Sequence, residues 1–144
     1  MLESFTDQGR IVLRNAQDEA RRLGQDFTEA EHLLLAFIGD ETGVGARLLA
    51  GLGADPERLA KEITARVNPR AARATPCPPF SADLNEILAL FVAEAGGPRY
   101  GYIGPSHLLF ALMAEDRGRA TTALKAAGMD VCAARAQVLA SLDR

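Results

Sequence analysis

Apolar residues along this chain recur at helical spacing rather than in strand-like alternation. Val12, Ala16, Ala20 and Leu23 line one helix face, and Ile87, Phe91 and Ala95 repeat that spacing further on. A later pair of segments behaves the same way: Leu59, Ile63 and Val67, then Val131, Ala134, Val138 and Leu142. The dipeptide His32-Leu33 returns as His107-Leu108, 75 residues later. At that fixed offset Phe5-Thr6 falls on Phe80-Ser81, and Glu19-Ala20 on Glu94-Ala95. Phe27-Thr28 falls on Tyr102-Ile103, and Leu33-Leu34-Leu35-Ala36 on Leu108-Leu109-Phe110-Ala111. Gly43, Leu49, Gly53, Asp55 and Ile63 match Gly118, Leu124, Gly128, Asp130 and Val138 without a gap. The chain is two copies of one unit.

Each copy predicts four helices. The first begins at a Thr6 or Ser81 cap, with Asp7 or Asp83 in its first turn, where a hydroxyl satisfies orphan amides and an acid suits the helix dipole. Glycine-containing links follow, Gly24-Gln25 and Gly96-Gly97-Pro98. The second helix is expected over about 29–39 and 105–115, with Pro105 at a first helical position that needs no amide hydrogen. The third covers about 44–52 and 120–127, stopped by Gly53 and Gly128. The fourth begins after Asp55-Pro56 and after Asp130. Repeat 1 is thus about 5–67 and repeat 2 about 80–142. The segment 68–79 between them holds Pro69, Pro76, Pro78 and Pro79 and reads as a linker, since prolines exclude helix and regular sheet. A unit of about 60–70 residues has a marginal core alone. The expected fold is all-α: two tandem four-helix repeats packed as one pseudo-twofold domain over 1–144.

Length and composition agree. The 144 residues are 48% hydrophobic and 24% charged, enough for a core under a polar surface. A net charge of −3 argues against a nucleic-acid partner. Apolar runs such as Leu33 to Ile38 are far too short to cross a bilayer, and the first residues lack the pattern of a secretory signal. Cys77 and Cys132 are too few for a disulfide scaffold or a four-cysteine zinc site, and read as one loop and one helix thiol in a reducing cytoplasm.

Catalytic signatures are missing. There is neither a phosphate-binding P-loop nor an H-E-x-x-H metal motif. His32 and His107 occupy equivalent positions in different copies, which points to a repeated structural job such as a helix-terminal hydrogen bond. No metal, cofactor or Cys/His nucleophile pair follows from the spacing. Two readings compete for Glu31. In Thr28-Glu29-Ala30-Glu31 it completes a capping box with Thr28. Alternatively its carboxylate, beside a helix N-terminus, receives a guanidinium while nearby amides attract an anion. Phe5 and Phe80 sit where a hydrophobic staple would begin, but the facing residues, Arg10 and Asn85, are poor apolar partners. The two Phe side chains therefore pack on the other repeat or stay partly exposed for a ligand, with packing favoured.

The segments Phe5-Thr6, Glu19-Ala20, Thr28 to Leu35, Gly43 and Leu52-Gly53, and again Phe80-Ser81 and Tyr102 to Leu109, resemble the Clp repeat. The chain is similar over essentially its whole length to the N-terminal domain of the ClpA/ClpC class of AAA+ unfoldases. The resemblance implies a non-catalytic protein-interaction module. Such a domain recruits substrate proteins or adaptors for ATPase rings that feed the ClpP peptidase. In the ClpC branch it also binds phosphoarginine, the carboxylate of a Thr-Glu-His segment meeting the guanidinium. That carboxylate carries over to Glu31, and in the second copy to position 106, which is Ser106 here. The family Thr carries over to Ala30 and Pro105, and Pro105 offers no amide hydrogen, so the departures weaken the second pocket. The positions of Phe5 and Phe80 resemble a surface that takes cyclic-peptide antibiotics. The implied ligand-binding residues are Phe5, Glu31, Phe80 and Ser106. Since the chain stops where the family's ATPase rings would follow, the alternative is a stand-alone decoy that sequesters such antibiotics or regulates the Clp protease.

Overall fold

A computed structural model describes residues 6–39, 44–66, 78–95, 104–113 and 119–142. Eight helices run through them: α1 (Asp7–Arg22), α2 (Ala30–Ile38), α3 (Val44–Gly51), α4 (Pro56–Arg66), α5 (Ala82–Ala95), α6 (Pro105–Met113), α7 (Arg119–Ala126) and α8 (Val131–Leu142). Four fall in each copy of the repeat, in the same order, and the described residues form no extended strand. Asn68 to Cys77, most of the expected linker, lie outside the described residues, as do Phe5, Gly43 and the Gly96-Gly97-Pro98 link.

The helix ends repeat the chemistry expected of them. The Thr6 hydroxyl oxygen accepts from the Gly9 amide at 3.0 Å, and the Ser81 oxygen accepts from the Leu84 amide at 3.1 Å. Each hydroxyl thereby satisfies an amide that has no partner within its own helix. Asp55 and Asp130 do the same for α4 and α8, accepting from the amides of Glu57 and Ala133. Helices α3 and α7 close through matching turns. The Gly53 amide donates to Ala50 and the Ala54 amide to Leu49, just as Gly128 donates to Lys125 and Met129 to Leu124. Both turns need a left-handed residue, and Gly53 (φ +102°) and Gly128 (φ +100°) supply it without a Cβ penalty.

Packing within the two copies is also the same. In each, the first and second helices pair, and the second touches the third and fourth. Across the copies, α1 meets α6, while α7 lies against α2 and α4. Leu13, Leu33, Leu34, Phe37, Leu49 and Ile63 from the first copy join Leu84, Leu88, Leu108, Leu109 and Leu124 from the second in one buried cluster. Neither half-size unit has to hold a core alone. The α3–α4 turn meets the α7–α8 turn so closely that a Cβ on Gly128 would lie 3.7 Å from the Gly53 carbonyl oxygen. Gly45 brings α3 down onto the backbone of α2: a Cβ there would overlap the Phe37 carbonyl.

Candidate binding site at the junctions between repeats

The start of α2 in the first repeat and the start of α5 in the second are hydrogen-bonded to each other. The Thr28 amide donates to the Pro79 carbonyl at 2.7 Å, and the Ser81 amide donates to the Thr28 carbonyl at 2.9 Å. Thr28 and Phe80 thus form a single parallel bridge, a short extended piece at the end of the expected linker. The Thr28 hydroxyl and the Gln17 side-chain amide both donate to the Pro78 carbonyl, at 2.8 and 3.2 Å. Thr28 is fully buried, so its side chain is committed to this bond rather than to a helix cap.

That commitment corrects the capping box expected from Thr28 and Glu31. The cap of α2 is Glu29, and its reciprocal partner is His32. The Glu29 amide donates to His32 Nδ1 at 2.8 Å, while the Glu29 side chain turns back over the His32 amide. The hydrogen bond proper of that amide goes to the Glu29 carbonyl at 3.1 Å. In the second repeat the Gly104 amide donates to His107 Nδ1 at 3.0 Å. The two histidines therefore do one repeated job, holding the amide at the head of the second helix. An imidazole that accepts at Nδ1 is neutral and carries its hydrogen on Nε2. Burial holds the His107 pKa below its ordinary value, which keeps that form.

Glu29 also reaches across the repeats. Its Oε2 accepts from the Ser81 hydroxyl at 3.1 Å, while Ser81 caps α5. One carboxylate thus lies between the amino ends of two helices, where negative charge is favoured. The equivalent junction in the other half joins α1 to α6. There the counterpart of Glu29 is Gly104, and a Cβ on it would lie 3.6 Å from the Thr6 oxygen.

Three of the four expected site residues fall at these two junctions. Glu31 lies in the first turn of α2 and Phe80 immediately before α5, both at the α2/α5 junction. Glu31 is buried, with 3% of its surface exposed. Phe80 is half-buried and packs on the core, and its carbonyl accepts from the Asn85 side chain at 3.3 Å. Ser106 lies in the first turn of α6, at the α1/α6 junction. Phe5 precedes the α1 cap and lies outside the described residues. Sequence reasoning passed over two residues here. Phe27, beside Thr28, is 53% exposed, a large apolar side chain left at the surface. Glu29 was legible as one of the places where the two copies differ, Glu against Gly104. Among the described residues no three His, Cys, Asp or Glu side chains converge as metal ligands.

The sequence matches the Clp repeat (R) N-terminal domain family over residues 4–96 and again over 79–144. The chain belongs to that family. It is 33% identical over 139 residues to the ATP-dependent Clp protease ATP-binding subunit ClpA homolog of Guillardia theta. It is 34% identical over the same length to the chloroplastic chaperone protein ClpC1 of Arabidopsis thaliana. Each match takes in 96% of this chain but only 17% and 15% of those relatives. Solved structures share the fold. The N-terminal domain of the ClpD chaperone from Arabidopsis thaliana superposes with a TM-score of 0.75 at 24% identity, covering 99% of this chain and 96% of that one. The Hsp104 N-terminal domain from Candida albicans gives 0.75 at 20% identity, covering 94% and 89%. Clp N-terminal domains are non-catalytic modules of the Clp ATPases that bind substrates and adaptors. No described helix is long and apolar enough to cross a membrane.

Proposed function

We propose that this chain recruits polypeptide partners, substrates or adaptors, to a cytoplasmic Clp ATPase system, binding them at the junctions between its repeats. The observation that carries the reading is the α2/α5 junction, where exposed Phe27 adjoins a backbone bridge that ties the two repeats together. An apolar residue exposed on a rigid frame gives a partner something to bury at little ordering cost. In this reading Glu31 and Phe80 contribute to this junction, and Ser106 to the one at α1 and α6. Membership of the Clp N-terminal family supports the same reading.

Fluorescence anisotropy with a labelled, permanently unfolded polypeptide tests it. Saturable binding is expected, weakened at least fivefold in the Phe27→Ser variant. Absence of binding at protein concentrations up to the millimolar range would sink the proposal. A cyclic peptide, titrated in parallel by calorimetry against wild type and Phe80→Ala, tests the antibiotic-sequestering alternative.

A further inference from the structure

We infer that Glu29 is a specificity-determining residue of the α2/α5 junction: its carboxylate fills the place an anionic ligand group would take, so the junction rejects phosphorylated or acidic segments and takes neutral or basic ones. This rests on the reading of the junction as a place where partners bind.

Two helix amino ends meet at each junction, and converging amide dipoles favour one negative group there. At α2/α5 the protein supplies that group itself. The Glu29 carboxylate accepts from the Ser81 hydroxyl at the head of α5 and lies over the His32 amide at the head of α2. Glu31, two residues on, adds a second acidic side chain in the same first turn. An incoming phosphoryl group would meet the Glu29 carboxylate and would have to displace it from the Ser81 hydroxyl. A guanidinium or ammonium group meets no such opposition. At the pseudo-equivalent junction Gly104 stands where Glu29 stands here, so the exclusion belongs to one repeat only. It arises from one side chain rather than from the backbone, which repeats closely: the Glu29 and Gly104 amides make the same bond to His32 and His107.

The test is a two-dimensional amide NMR titration of wild type, Glu29→Gly and Glu29→Gln with free phosphoarginine. In wild type the Ala30, Glu31, His32 and Leu84 amides are expected not to respond. In Glu29→Gly they should shift saturably, with apparent affinity at least tenfold above wild type. Glu29→Gln, which keeps the size and can still accept from Ser81, should fall between, and it serves as the readout if the glycine variant loses its helical circular dichroism. Wild-type amides that shift as strongly as those of the variants would overturn the inference. So would variants that remain folded yet show no response. Binding of an unmodified, arginine-containing unfolded polypeptide to wild type is followed in the same samples. Its failure would count against the recruiting role, whereas the phosphoarginine result reads Glu29 alone.

Discussion

Gly45 and Gly51 lie in the same helix, and replacing each with alanine is expected to move stability in opposite directions. Both substitutions gain helix propensity, up to about 1 kcal/mol for an interior site. At Gly51 nothing lies within 4 Å of the new Cβ, so that gain stands, reduced because Gly51 is the last helical residue. At Gly45 the Cβ would overlap the Phe37 carbonyl oxygen and lie 2.8 Å from its carbon. The obstacle is backbone, which cannot rotate aside. Helix α3 would have to retreat by about 0.6 Å merely to restore an ordinary 3.4 Å contact with the Phe37 carbonyl carbon. Phe37 and its neighbours Leu33 to Ala36 are buried, so α2 has no free space into which to yield. Overpacking of this kind costs about 1–3 kcal/mol, and a clash against backbone belongs at the upper end. Net of propensity, Gly45→Ala should lose about 2 kcal/mol, and Gly51→Ala should gain about 0.5 kcal/mol. For a domain of this size that is a Tm lowered by roughly 6 °C in one variant and raised by roughly 1–2 °C in the other. Thermal and urea unfolding followed by circular dichroism at 222 nm measures both. Equal shifts, or a Gly45→Ala protein within 0.5 kcal/mol of wild type, would refute the close approach of α3 to α2.

Three further outcomes follow from the helix ends and turns. Because burial lowers the His107 pKa below its unfolded value, folding favours the neutral ring; its contribution is present above about pH 6.5 and is lost as pH falls from there toward the folded pKa. Tm measured from pH 7.5 to 5 should therefore fall less steeply in His107→Gln, and an unchanged slope would remove the titration argument. Ser81→Ala removes the α5 cap together with the bond to Glu29, and should cost about 1–2 kcal/mol in urea unfolding, more than Thr6→Ala, whose hydroxyl serves its own helix. Gly128→Ala meets only ordinary contacts, the nearest at 3.7 Å, so its cost is the left-handed backbone alone, about 1–2 kcal/mol by equilibrium unfolding.

Much of the fold was readable because its signals are local and occur twice. Thr6 and Ser81, Gly53 and Gly128, and Asp55 and Asp130 are end markers whose chemistry depends only on neighbours in sequence, and each sits at a helix end in the structure. The paired histidines were legible for the same reason: equal places in two copies imply an equal job, and both hold an amide at the head of the second helix. The capping of α2 was misjudged because Thr28 answers to a long-range partner. Its hydroxyl goes to Pro78, fifty residues on, and no local pattern announces that bond. With Thr28 withdrawn, Glu29 becomes the cap and His32 its partner. How Glu31, Phe80 and Ser106 group depends on which helix starts meet. The repeats exchange partners, α2 with α5 and α1 with α6, so the helix starts that carry Glu31, Phe80 and Ser106 lie at junctions shared between the copies. Helical periodicity within a copy carries no record of that exchange.

Partners are proposed to bind at the junctions between the repeats. Amide NMR of the isotope-labelled chain, titrated with an unfolded polypeptide, tests it most directly. Saturable shifts clustered at Phe27 to His32 and at Phe80 to Leu84 are expected. Shifts confined to the outer faces of α4 and α8, or no shifts at saturating polypeptide, would contradict it.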